Sequence, residues 1–264
     1  MGEWRLLNLE TRNAFMNMAI DEAVLTARIA GMVPNTLRLY RWKPSAVSIG
    51  RFQKVSDEVH IERCRRHGVD IVRRITGGGA VYHDSDGEIT YSVVVHEQDL
   101  GSKDVVSAYN RICSGLVEAA KNLGVSADFR PGNPNHCPNI TIDGRKFSGS
   151  AQARKKGVLL QHGTFLIRTG LEQMFTFLKV PWANSLNEVL RVARKRLTSI
   201  EQELEASVST EQTYEALVEG FQKAFKAEFM EKELTDYEMN LANELCSDKY
   251  ATDGWNFKEN HFKR

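Results

Sequence analysis

Apolar positions along this chain recur with two different periods, and the places where one gives way to the other mark its elements. Over 17–30, Met18, Ala19, Ala23, Ala27 and Ala30 fall near one face of a helix and Gly31 follows as a stop signal, which predicts an amphipathic first helix. Residues 37–42 and 46–50 alternate or run apolar on either side of Lys43-Pro44-Ser45, as two neighbouring strands would. A short helix ending near His67-Gly68 leads to extended residues 70–76, then Gly77-Gly78-Gly79, then a second extended stretch from Ala80, so a glycine loop sits between strands. Residues 88–95 are β-rich and apolar enough for a buried strand, and 105–124 form a long amphipathic helix closed by Gly124. The turn signals Asp143-Gly144 and Lys156-Gly157 divide 139–168 into a three-stranded meander. Beyond Val180-Pro181 the pattern turns helical over 185–205, and two capping boxes follow, Ser209 with Gln212 and Thr235 with Glu238.

No repeat and no linker divides the chain, so one catalytic domain over 1–264 is expected, with a strand-rich core over about 1–183 and a helical layer over about 184–264. Strands followed by helices, without regular βαβ alternation, predict an α+β (mixed α/β) fold rather than a doubly wound one.

Composition narrows the class of function. A hydrophobic share of 42% with 26% charged residues excludes a disordered or collagen-like chain. Thirty-five basic against 34 acidic residues leave a net charge of +1, so no global field recruits nucleic acid or an anionic membrane, and neither is expected as a partner. The four cysteines, Cys64, Cys113, Cys137 and Cys246, form no CxxC pair, which points to a reduced chain without a disulfide framework or zinc ribbon. The first residues carry charges where a signal peptide needs an apolar run, and no stretch approaches the ~20 apolar residues of a membrane span. A soluble cytoplasmic protein is the expectation.

Three segments hold candidate chemistry. In 73–84, the three glycines allow close backbone approach to a ligand and present N–H groups to an oxyanion or phosphate, although a bare turn flanked by surface charge has the same sequence. Arg73 and Arg74 point to opposite sides if they lie on a strand, so only one can face the ligand. The Walker A and GxGxxG templates both fail here. Lys146, just after the Asp143-Gly144 turn, has the small neighbours Ser148, Gly149, Ser150 and Ala151, which leave room for a ligand that its ammonium could neutralise; a solvated strand lysine is the plain alternative. His162, Gly163 and Thr164 interrupt an apolar strand, where a lone histidine is more often structural. His136, Cys137 and His162 match no usual zinc spacing, so no protein-bound metal is expected.

Taken in order, RRITGGGAVYHD, GRKFSGSAQ and QHGTFLI resemble the lipoate-protein ligase A family, in the biotin/lipoate A/B protein ligase superfamily. IGRFQ (49–53) resembles its upstream motif, and DKYATDGWNF the tail of short archaeal-type ligases that lack the accessory C-terminal domain. The resemblance implies a biotin/lipoate ligase-like mixed β-sheet core flanked by helices, with a helix-rich C-terminal segment. It implies ATP-dependent ligation of lipoate or octanoate to a carrier lysine through lipoyl-AMP, with Mg2+ held by the ATP phosphates. By that resemblance Arg74 contacts the nucleotide, Gly77, Gly78, Gly79, Ala80, Val81 and Tyr82 line the ATP and acyl-adenylate site, and Lys146 is catalytic and touches both substrates. Arg51, His83, Asp84, Asn139, Ser148, Gly149, His162, Gly163 and Thr164 are supporting candidates. The implied partners are the lipoyl (acyl-carrier) domains of 2-oxoacid dehydrogenases or the glycine cleavage H protein, and a separate accessory-domain protein. Two departures stand out: the family's Asn-Asp pair is Pro138-Asn139 here, and Cys137 lies just before it. Cys137 opens an alternative, a carrier-to-carrier octanoyl or lipoyl transferase with Cys137 as thioester nucleophile and Lys146 as acid/base.

Overall fold

The computed structural model describes residues 3–101, 104–132 and 138–258 of the chain. In chain order the first half gives β1 (Trp4–Arg12), α1 (Ala14–Ile29), β2 (Asn35–Trp42), β3 (Ala46–Ile49), α2 (Val55–Glu58), α3 (Ile61–Arg66), β4 (Asp70–Arg73), β5 (Val81–His83) and β6 (Glu88–His96). There follow α4 (Val105–Asn122), β7 (Asp128–Arg130), β8 (Asn139–Ile142), β9 (Arg145–Lys155) and β10 (Val158–Leu166). The last third holds α5 (Leu171–Phe177), α6 (Leu186–Arg196), α7 (Ile200–Leu204), α8 (Thr210–Phe225), β11 (Phe229–Glu231), α9 (Asp236–Leu245) and α10 (Asp253–Asn256).

The strands form two sheets, an eight-stranded one ordered β11-β1-β2-β6-β10-β9-β8-β7 and a three-stranded one ordered β4-β3-β5. The large sheet is mixed: β1 runs parallel to β2 and β11, while β6, β10, β9 and β8 are antiparallel to their neighbours. Its two faces are covered differently. Leu37, Leu39, Tyr91, Val93 and Leu159 enter a core with Ile112, Leu116 and Phe221 of α4 and α8. Tyr40, Trp42, Val94 and Leu160 enter a second core with Met18, Ile20 and Val24 of α1 and Ala242 of α9. This is strand alternation at work, because successive side chains leave opposite faces of the pleat. On β6, therefore, Glu88, Thr90 and Ser92 share the α1 side with Val94. A third core under the small sheet gathers Val47, Ile49, Cys64, Ile71, Tyr82 and Phe177.

The mixed α/β fold with helices on the sheet agrees with the sequence reading, and so does the antiparallel meander β8-β9-β10. Both capping boxes form, at Ser209/Gln212 and Thr235/Glu238. Glu238 is also the buried partner of Arg5 on β1, with Nη1 donating to Oε2 at 2.9 Å. Other expectations change. The strands read from 37–42 and 46–50 are not neighbours, because β2 lies in the large sheet and β3 in the small one. The helix read over 185–205 breaks at Leu197–Ser199, where the chain pairs with Lys146 of β9 and Thr198 N–H donates to the Lys146 carbonyl at 3.0 Å. No described helix is long and apolar enough to cross a membrane.

Candidate active site

A cleft lies between the small sheet and the α1 side of the large one. Its space measures about 640 Å³, counting the open mouth. Met18, Tyr40, Trp42 and Thr90 lie at its buried end, while Gly78, Gly79 and Lys146 are exposed. Of the residues singled out by sequence, Arg74, Gly78, Gly79, Ala80, Val81, His83, Lys146, Gly149, His162, Gly163 and Thr164 line it. Gly77, Tyr82, Arg51, Asp84, Asn139 and Ser148 do not. Tyr82 points into the third core and stacks on Phe177 at 5.4 Å, and burial pushes its hydroxyl up to about 12. Asp84 serves a turn, accepting from Asp86 N–H at 2.9 Å. Cys137 lies outside the described residues; Pro138, next to it in sequence, lines the cleft.

The two adjacent arginines do face opposite ways, and each organises a loop. Arg74 engages all five guanidinium N–H groups. Nε donates to Thr76 Oγ1 at 3.3 Å, Nη1 to the Ser48 carbonyl at 2.9 Å and Oγ at 2.8 Å, and Nη2 to the carbonyls of Gly77 at 2.9 Å and Gly79 at 3.0 Å. The side chain read as a nucleotide contact thus holds the glycine loop. Arg73, fully buried, donates only to carbonyls: those of Gly50, Arg51 and Gln53 on one side, and those of Trp255, Asn256 and Lys258 on the other. Of the three glycines only Gly78, at φ +89°, needs the left-handed region. A Cβ on Gly50 would meet the Gly78 carbonyl at 2.1 Å, so the loop at 50–53 packs backbone to backbone on the glycine loop.

Behind the cleft wall stand two buried carboxylates. Asp21 of α1 accepts from Arg38 at 3.0 Å and from Tyr40 at 3.1 Å, and its Oδ2 lies 2.9 Å from His162 Nδ1. Burial alone would raise its pKa, but the hydrogen bonds and charges of His162 and Arg38 outweigh this and hold it below the usual carboxylate range. His162 Nε2 lies 2.8 Å from Thr76 Oγ1. Burial is the main influence on that ring and lowers its pKa, Arg74 and His83 adding to it and Asp21 opposing it. On the other side Glu88 of β6 meets His83 Nδ1 at 2.7 Å, and His83 Nε2 lies 2.7 Å from Ser48 Oγ. Trp42 stacks on the His83 ring at 4.0 Å.

Lys146 sits at the mouth, on a strand irregularity between β8 and β9. A Cβ on Gly149 would come 2.8 Å from its Nζ, so the small neighbour makes room for the lysine's own ammonium. Gly163 is needed for a different reason: a Cβ there would meet the Gly149 carbonyl at 2.3 Å. The described cysteines offer no activated thiol. Burial pushes Cys64 and Cys113 up to about 11, and raises Cys246 as well.

Asp21, Ser48, Glu88 and Thr90 were missed by sequence reading, although signals existed. Asp21 falls three residues after Met18 on the apolar stripe of α1, and Glu88, Thr90 and Ser92 recur every second residue in an otherwise apolar strand.

Comparison with known proteins bears on what this cleft does. The model of the lipoyl protein ligase A/B catalytic domain matches residues 13–222. Octanoyltransferase LipM of Clostridioides difficile is 36% identical over 98% of this chain and 100% of its own length. That of Kyrpidia tusciae is 39% identical over the same shares. Among solved structures, a bi-partite lipoate protein ligase from Thermoplasma acidophilum, described with its E2 lipoyl domain, superposes with a TM-score of 0.86 at 32% identity, covering 100% of this chain and 99% of that one. The curated relatives correct the ligase expectation: they are octanoyltransferases, so ATP-dependent ligation through lipoyl-AMP is not supported, and ATP and Mg2+ leave the cofactor set. The misreading has a physical origin. A glycine loop and a lysine stabilise charge on an acyl oxygen whether a phosphate or a thiol activated the acyl group, so these motifs do not separate the two reactions.

Proposed function

The chain belongs to the lipoyl protein ligase A/B catalytic-domain family of acyl-transferring enzymes, and from that premise we propose that it moves an octanoyl group from a donor carrier to a lysine of a lipoyl domain, the whole chain acting as one catalytic unit. The observation that carries this reading is the full-length similarity to octanoyltransferases. The thiol chemistry supports it by elimination, since the surroundings of buried Cys64 and Cys113 and of half-buried Cys246 oppose the thiolate, and Cys137 is the remaining one.

In the proposed reaction the Cys137 thiolate attacks the donor's octanoyl thioester, and the tetrahedral intermediate collapses by expelling the donor thiolate, which takes a proton from the Lys146 ammonium. The acceptor lysine amine then attacks the acyl-Cys137 thioester. An amide forms, the Cys137 thiolate leaves, and the amine's proton returns to Lys146. Atoms and charge balance without ATP, because a thioester already carries the activation. With no adenylation step, the accessory partner that the ligase reading called for has nothing to assist. The buried end of the cleft, lined by Met18, Tyr40 and Trp42, suits an aliphatic chain.

Incubating the protein with an octanoylated donor carrier and an apo lipoyl domain, without ATP, tests the proposal by mass spectrometry. Octanoyl should appear on the lipoyl domain and, transiently, on Cys137. Cys137→Ser should abolish turnover, and Lys146→Ala should slow it by about a hundredfold or more. Transfer that requires ATP, or that survives in Cys137→Ser, overturns the reading.

A further inference from the structure

Two hydrogen-bond chains in the cleft wall converge on one guanidinium, and the transfer steps above use neither. One runs Asp21, His162, Thr76, Arg74 and the other Glu88, His83, Ser48, Arg74. Their polar protons have a consistent order. Each carboxylate accepts from its histidine, so each ring carries its proton on Nδ1 and presents a bare Nε2. The Thr76 and Ser48 hydroxyls then donate to the rings, which leaves their oxygens to accept from Arg74 Nε and Nη1. In this arrangement every one of these protons has an acceptor. A proton on either Nε2 would leave the facing hydroxyl with two donors and no acceptor for its own hydrogen.

The consequence reaches the glycine loop through Arg74 Nη2, which pins the carbonyls of Gly77 and Gly79. Both following peptides are trans, so their N–H groups point opposite to those carbonyls. The N–H groups of Gly78 and Ala80 are therefore turned away from Arg74, and neither donates a hydrogen bond within the described residues. Both residues line the cleft.

We propose that His83 and His162 are positioning residues which, through Ser48 and Thr76, lock Arg74 so that it aims the Gly78 and Ala80 N–H groups as a cradle for the oxyanion of the acyl-transfer intermediate. The catalytic part of this inference rests on the transfer reading; the hydrogen-bond order does not. Such a cradle acts on charge that develops in the transition state, so its loss lowers kcat more than it raises KM.

The test keeps Arg74 and both rings and removes the links. Thr76→Val and Ser48→Ala should each lower kcat for octanoyl transfer about tenfold or more with KM within about twofold, and Thr76→Ser should stay within about threefold of wild type. Nitrogen NMR of the imidazoles at neutral pH should show both rings protonated on Nδ1 and bare on Nε2. Backbone nitrogen relaxation should show lower order parameters at Gly78 and Ala80 in Thr76→Val. The proposal falls if either ring carries its proton on Nε2, or if both variants are folded and turn over at the wild-type rate. If the wild-type protein moves no acyl group, the transfer reading fails, and the ring tautomers together with the loop order parameters still decide the wiring.

Discussion

Burying a histidine between a carboxylate and a hydroxyl gives its titration a direction. The His162 ring is neutral in the folded protein, with its pKa lowered chiefly by burial, whereas in the unfolded chain it titrates near the ordinary value of about 6.5. The unfolded state therefore binds the extra proton first as pH falls. Stability attached to this residue is fully present above about pH 6.5 and is lost as pH drops from there toward the folded value. Urea denaturation measured between pH 7.5 and 5.5 should show a falling midpoint, and His162→Gln should flatten that slope; an unchanged slope would dissociate His162 from the effect. At this scale part of the site was legible. The opposite facing of Arg73 and Arg74 follows from strand alternation and holds. What Arg74 grips did not follow, because its acceptors are mainly carbonyls and hydroxyls, and every residue has a carbonyl. The carboxylates behind the histidines left a trace only as polar residues on apolar faces, which local sequence does not pair with anything.

Glycines let α4 and α8 approach backbone to backbone. A Cβ on Gly220 of α8 would sit 2.3 Å from the Gly115 carbonyl of α4 and 2.7 Å from the Ala119 nitrogen, all of it backbone that cannot swing aside. Gly220→Ala should push α8 away from α4 and destabilise the protein by about 1–3 kcal/mol, where the same change at an unobstructed helix position would stabilise by about 0.4–1 kcal/mol. Chemical denaturation reads this directly, and a neutral or stabilised variant would contradict the packing described. The elements themselves were largely legible, since periodicity reports which face of a helix or strand is apolar. Three features escaped it. β1 carries charges and was read only for what a signal peptide lacks, although it pairs with both β2 and β11. β3 joins the small sheet because its partners β4 and β5 lie beyond the Lys43–Ser45 turn, which periodicity does not reveal. The break between α6 and α7 is made by β9, as Leu197 bridges to Lys146.

Long-range closure is the property that most distinguishes the whole molecule from its parts. Arg73 joins the loop beside the cleft to residues 182 to 185 positions downstream. A chain ending at Gly254 removes the Trp255, Asn256 and Lys258 carbonyls and leaves a buried cation short of acceptors. We expect it to lose about 3 kcal/mol, and Arg73→Met in the shortened chain to recover part of that loss by removing the stranded charge. Urea midpoints of the two shortened chains decide it: equal midpoints would mean that the guanidinium does not depend on these carbonyls. The reaction was the least legible property at this scale. The motifs shared by ligases and transferases record the acyl group being handled, whereas the means of its activation rests on a single thiol. The clamp at Arg73 also imposes an order on the protein's making. A ribosome releases the glycine loop and the 50–53 loop long before it releases Trp255, so the nascent cleft carries a guanidinium with half its acceptors still missing, and the Arg73 clamp closes only when the last of them has cleared the exit tunnel.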